Sequence, residues 1–93
     1  MKILQDGKEV AMISFGEVEF GVRKDILVEI YNDGEGEVRE LEFKADPTIQ
    51  VLNPPLKIAK RQSAYLTLAW IPDANLTQPI NTKLEITGKE VFG

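Results

Sequence analysis

The chain has 93 residues, 43% hydrophobic and 28% charged, with a net charge of -4 and an isoelectric point near 4.8. That is one domain of globular composition, which at this size buries roughly 60–65% of its unfolded surface. With 0 cysteines and 0 histidines it has no disulfide, no ordinary zinc site and no serine–histidine or cysteine–histidine nucleophile, and its acidic balance is opposite to that of a general nucleic-acid binder.

Residues 2–12 read as a hairpin, because Asp6-Gly7 supplies the two positive-φ positions of a type I′ turn. Ile13 and Phe15 share one strand parity, Val18 and Phe20 the other, and Gly16 sits at the change. A bulge or sheet-switching bend at Gly16 would hold all four side chains inward. Residues 24–31 alternate, with Ile26, Val28 and Ile30 inward and Asp25 and Glu29 outward. Asn32-Asp33-Gly34-Glu35-Gly36 is a turn cluster, since Gly and Asn tolerate left-handed backbone. Residues 38–45 form the next strand, with Leu41 and Phe43 inward, and Pro47 ends it for lack of an N–H.

Ile49 and Val51 mark a short strand stopped by Asn53-Pro54-Pro55. Leu56-Lys57-Ile58 leads to a turn over residues 59–62. Residues 63–71 form the strongest strand, with Leu66, Leu68 and Trp70 on one face and Pro72 as its stop. Residues 73–81 read as a polar loop with room for one helical turn. Residues 82–87 place Leu84 and Ile86 inward, and Gly88 leads to a tail carrying Val91 and Phe92. These periods, with no amphipathic helix among them, predict an all-β antiparallel sandwich of about seven to nine strands. It is read as a single domain over residues 1–93, with residues 1–12 an added N-terminal hairpin and residues 13–93 the sandwich.

Three motifs in order carry a family resemblance. Phe15-Gly16-Glu17-Val18 followed by Gly21, Val28-Glu29-Ile30-Tyr31-Asn32-Asp33-Gly34, and Leu66-Thr67-Leu68-Ala69-Trp70-Ile71-Pro72 resemble successive strands of immunoglobulin-like domains of the Hydin type (ASH) and the major-sperm-protein type. The resemblance covers about residues 13–88 and implies an immunoglobulin-like sandwich that binds and builds without catalysing. Where these families carry Pro-Gly before the late strand, this chain has Lys60-Arg61, which leaves two cations on a loop. The hairpin at residues 1–12 lies outside the family pattern.

The remaining catalytic option is a carboxylate pair, Glu17/Glu19 or Glu40/Glu42, and two carboxylates two apart on a strand describe any solvated face. Asp33, Glu35 and Glu37 place oxygens at alternate positions, as a calcium loop does, but fill too few of them. The chain is therefore read as no enzyme, with no cofactor and no metal. No segment reaches the ~18 apolar residues of a membrane span, and Met1-Lys2-Ile3-Leu4-Gln5-Asp6-Gly7 has no signal-peptide core. The expected location is cytoplasmic or in a virion, without membrane insertion, so the glycosylation motif Asn75-Leu76-Thr77 reads as chance.

Two candidate partner-binding sets remain. Lys57, Lys60 and Arg61 form a basic cluster suited to an acidic peptide, with no interleaved aromatic to suit nucleic acid. Leu27 and Tyr31 on one strand, and Tyr65, Thr67, Ala69 and Ile71 on another, carry the parity opposite to the core. If those strands are neighbours, the outward face is unusually apolar, unless the hairpin or tail covers it. The expected activity is non-catalytic protein–protein interaction, with the chain a structural or accessory subunit of a larger assembly such as a decorated virion or a filament. The alternatives are a peptide-binding adaptor using the basic loop and a carbohydrate-binding module using Tyr31 or Tyr65.

Overall fold

The computed structural model describes residues 1–72 and 81–92. Of the polar loop read over residues 73–81, residues 73–80, with the glycosylation motif, lie outside the described residues, and Asn81 lies in a strand. The described residues form β1 (Lys2–Gln5), β2 (Lys8–Glu9), β3 (Ile13–Ser14), β4 (Lys24–Tyr31), β5 (Glu37–Lys44), β6 (Ile49–Leu52), β7 (Ser63–Trp70), β8 (Asn81–Thr82) and β9 (Glu85–Val91). All pairings are antiparallel: β2-β1-β4-β7-β6 make one sheet, β3 pairs with β8, and β5 pairs with β9.

The alternation in β4 and β7 fixes their register, because a one-residue slip would turn every apolar side chain to solvent. Val28 stands opposite Leu66, Ile26 opposite Leu68, and Lys24 opposite Trp70. Their inward side chains meet Ile13 and Leu41 from the smaller sheets, and Phe15 and Leu84 from the segments next to them, in one buried cluster. The Phe15 and Trp70 rings sit 5.0 Å apart, tilted by 56°, within the range where aromatic pairs attract beyond their area burial.

The N-terminal hairpin turns at Asp6 (φ 54°) and Gly7 (φ 79°), as the sequence predicts. It lies beside the sheet, not over it: Ile3 of β1 is in register with Ile30 of β4. The Gln5 side chain extends that edge, its amide N–H donating to Ser14 O at 2.6 Å and its carbonyl accepting from Ser14 N at 3.0 Å.

Four local expectations are revised. Phe20 is 67% exposed, not inward. The Val22 N–H bonds Glu19 O at 3.2 Å, which places Phe20 and Gly21 (φ 78°) at the tip of a β-turn. Ala69 is buried although it has the outward parity; its methyl group lies between the longer side chains of Asp25 and Gln50. Residues 88–91, expected as a tail, continue the strand read over residues 82–87 and form the second half of β9. In β5, Glu40 takes φ 54° and the register skips between Arg39 and Glu42. That bulge turns both Val38 and Leu41 inward, a spacing of three that strict alternation does not produce. Gly88 faces the bulge, where a Cβ would come within 2.6 Å of Val38 Cγ1.

Candidate functional site

The strands carrying the proposed apolar face are neighbours. Across the outer side of the large sheet, Leu27 of β4, Thr67 of β7 and Leu52 of β6 form one row. The next row runs Glu9, Leu4, Glu29 and Tyr65. Leu27 is 61% exposed, Tyr65 54%, and Ile71, just beyond β7, 58%. The hairpin is the edge of this same sheet and β9 belongs to another, so neither lies across the face. Glu29 interrupts the apolar surface and accepts a hydrogen bond from Ser63 Oγ at 2.6 Å. Leu4 and Leu52 were not among the sequence candidates. Leu52 has the outward parity in its strand, but only the order β1-β4-β7-β6 brings either residue onto this face.

Tyr31 is half-buried at the end of β4, in register with Lys2 and Ser63. Its phenol lies beside the Arg61 guanidinium. The apolar face and the basic turn, separate in the sequence, therefore meet at Tyr31 and Arg61. Arg61 is not an open cation: it donates from Nη2 to Glu35 Oε1. The charge of Glu35 first, and the Tyr31 phenol after it, hold its pKa above the ordinary guanidinium value. Lys57 and Lys60 are exposed, and Lys57 adds to the positive field at Glu37.

The turn at residues 59–62 closes without the family's Pro-Gly. The Gln62 N–H bonds Ala59 O at 3.2 Å, and Arg61 takes φ 60°. Positive φ at the third residue is the position that a type II turn gives to glycine. Asn32, buried to 1% exposure, holds this turn from beneath. Its side-chain amide donates to Gly36 O at 2.9 Å, Ile58 O at 3.0 Å and Ala59 O at 3.2 Å. Its side-chain oxygen accepts from Gly34 N at 3.0 Å. Its backbone exchanges bonds with Gln62 O and Arg61 N, both at 2.9 Å. Asn32 reads in the sequence as a turn former; it is the clamp that sets where Arg61 and Tyr31 stand.

The three carboxylates considered for calcium are each paired with a cation: Asp33 with the Met1 amino group at 3.2 Å, Glu35 with Arg61, and Glu37 with Arg39 at 2.7 Å. Among the described residues no three metal-ligating side chains converge. The Met1 amino group lowers the Asp33 pKa, the hydrogen bond from Arg39 lowers that of Glu37, and the Thr48 side chain lowers that of Asp46. Each of these groups has its folded pKa below its unfolded one. Their contribution is therefore complete above the ordinary carboxylate range and is lost as pH falls through the folded values. Since all three remain open to solvent on one side, the contribution is small and screened by salt. With no histidine in the chain, the urea midpoint is expected to stay level between pH ~5 and ~8 and to fall only below about pH 4. A midpoint that declines already above pH ~5 would contradict this assignment.

No helix among the described residues is long and apolar enough to cross a membrane. No family model, no curated protein and no solved structure matches the chain.

Proposed function

We propose that the chain is a non-catalytic protein–protein interaction module, a structural or accessory subunit that docks on a larger assembly such as a virion or a filament. The docking surface is the outer face of the large sheet around Leu27, Tyr65 and Ile71, bordered by Tyr31. Its occupant is a protein surface of the assembly that is apolar at its centre. The observation that carries this reading is the exposure of large apolar side chains in adjacent rows of β4 and β7, with Leu27 61% and Tyr65 54% exposed. Exposed apolar residues gathered on one face mark interfaces more often than residues scattered singly. An immunoglobulin-like sandwich of the Hydin or major-sperm-protein type is part of the same proposal, supported by the motif order in the sequence and by the antiparallel all-β architecture.

The basic loop has less support as the principal site, because Arg61 already has Glu35 as its partner. A carbohydrate site also has less support, because of its two candidate tyrosines only Tyr65 is exposed, while Tyr31 is half-buried beside Arg61.

Co-sedimentation of the tagged chain with its assembly separates the two protein-binding readings. The pair Leu27→Glu and Tyr65→Glu leaves the fold intact, since both side chains are exposed, and is expected to weaken co-sedimentation about 100-fold. The pair Lys57→Glu and Lys60→Glu is expected to retain it. The reverse outcome selects the adaptor reading, and retention by both variants removes the outer face as a docking surface.

A further inference from the structure

The edges of the sheets are not equally protected. Edge strands present unpaired backbone groups that recruit another strand unless they are short, broken or capped by proline. The edge strand β2 has 2 residues, and β3 and β8 have 2 each. The edge strand β6 has 4 residues and is followed by Asn53 at φ 52° and then Pro54-Pro55. One side of β5 is partly covered by residues 56–58, through Val38 N to Ile58 O at 3.0 Å and Leu41 N to Leu56 O at 3.2 Å. The other side of β5 is taken by β9. β9 has 7 residues, no proline and no bulge of its own, and among the described residues it pairs with β5 alone. A groove lined by Ile3 of β1 and by Ile86, Gly88 and Glu90 of β9 separates the two strands.

We propose that β9 pairs edge to edge with the β9 of a second copy, antiparallel and centred on Thr87. The side-chain pattern of the strand supports this occupant. In that register Thr87 stands opposite the second Thr87, and Glu85 stands opposite Lys89 in both directions. Threonine pairs and opposite charges are both favourable cross-strand neighbours. On the inner side Ile86 lies over Gly88 of the other copy, where no side chain opposes it.

The isolated chain supplies a second argument. Lys89 is in register with Arg39 on β5, a like-charge pair, and among the described residues it makes no ion pair. The second copy gives it a carboxylate. The contact is small, so the dimer forms at elevated local concentration, such as the density of copies on an assembly surface. This surface is separate from the outer face of the large sheet, and its test does not depend on that face.

Sedimentation equilibrium of the full chain tests the proposal. The wild-type mass is expected to rise with concentration from the 10.4 kDa of one chain towards twice that value. Lys89→Glu places a second acid opposite Glu85 twice per dimer, and is expected to weaken association at least ~10-fold. That variant remains well folded, because the introduced carboxylate faces Arg39 with opposite charge. Adding Glu85→Lys to Lys89→Glu restores the pairing with the charges exchanged, and is expected to restore the dimer although residue 85 then meets Lys44 of β5 with like charge. A wild-type mass that stays at 10.4 kDa up to about millimolar concentration overturns the proposal. So does a Lys89→Glu chain that associates as the wild type does, or a double variant that remains monomeric.

Discussion

Replacing Trp70 with alanine is expected to cost about 3–5 kcal/mol, the largest loss available from a single core truncation in this chain. Trp70 is 1% exposed and stands between Lys24 of β4 and Ile49 of β6 in the sheet register. Its ring packs on Phe15, which belongs to the segment that crosses to the β3–β8 pair. Removing it leaves a cavity where the large sheet meets a smaller one, and Phe15 is too rigid to fill it. A domain of this length has roughly 5–14 kcal/mol of stability in all, so the variant loses at least about a fifth of it. Urea unfolding followed by far-UV circular dichroism measures the change, since the tryptophan signal is lost with the residue. Trp70→Phe, which keeps a ring against Phe15, is expected to cost less than half as much. A Trp70→Ala loss below ~1.5 kcal/mol would mean that the inter-sheet contact does not depend on this side chain.

Replacing Asn32 with alanine is expected to cost about 3 kcal/mol by a different mechanism. No large volume is lost. The carbonyls of Gly36, Ile58 and Ala59 lose the amide that bonds them, and the Gly34 N–H loses its acceptor. Each buried group left without a partner costs ~1–3 kcal/mol, reduced wherever water can reach it. Asn32→Asp is expected to be at least as damaging, because a carboxylate would face three carbonyl oxygens. Amide hydrogen exchange distinguishes this loss from general destabilisation. The Arg61 and Gln62 amides are expected to lose protection well before those of Leu66 and Leu68. Uniform loss across β7 would contradict the clamp.

The two substitutions differ in how far the sequence announces them. Trp70 lies in phase with Leu66 and Leu68, and that period is enough to place it inside. Asn32 sits in an Asn-Asp-Gly run, and the local pattern says only that the chain turns. Its acceptors at Ile58 and Ala59 lie 26 and 27 residues away, a separation that no local period encodes. The same holds for Arg61, which reads as a free cation until the fold brings Glu35 to it. It holds for Phe20 as well, whose parity suggests burial while a turn closed by Glu19 and Val22 carries it outward.

What the sequence determined by itself are the features set by short-range sterics and alternation: the Asp6-Gly7 turn, the inward rows of β4 and β7, and the stops at Pro47, Pro54 and Pro72. The all-β antiparallel class follows from them. Only the tertiary structure decided which strands are neighbours. That choice placed the hairpin at the sheet edge, left the face around Leu27 and Tyr65 uncovered, made the apparent tail the second half of β9, and joined Tyr31 to the basic turn. Strand order is selected by how the whole set of apolar faces closes over one core, and each strand's own residues record only which of its sides is apolar.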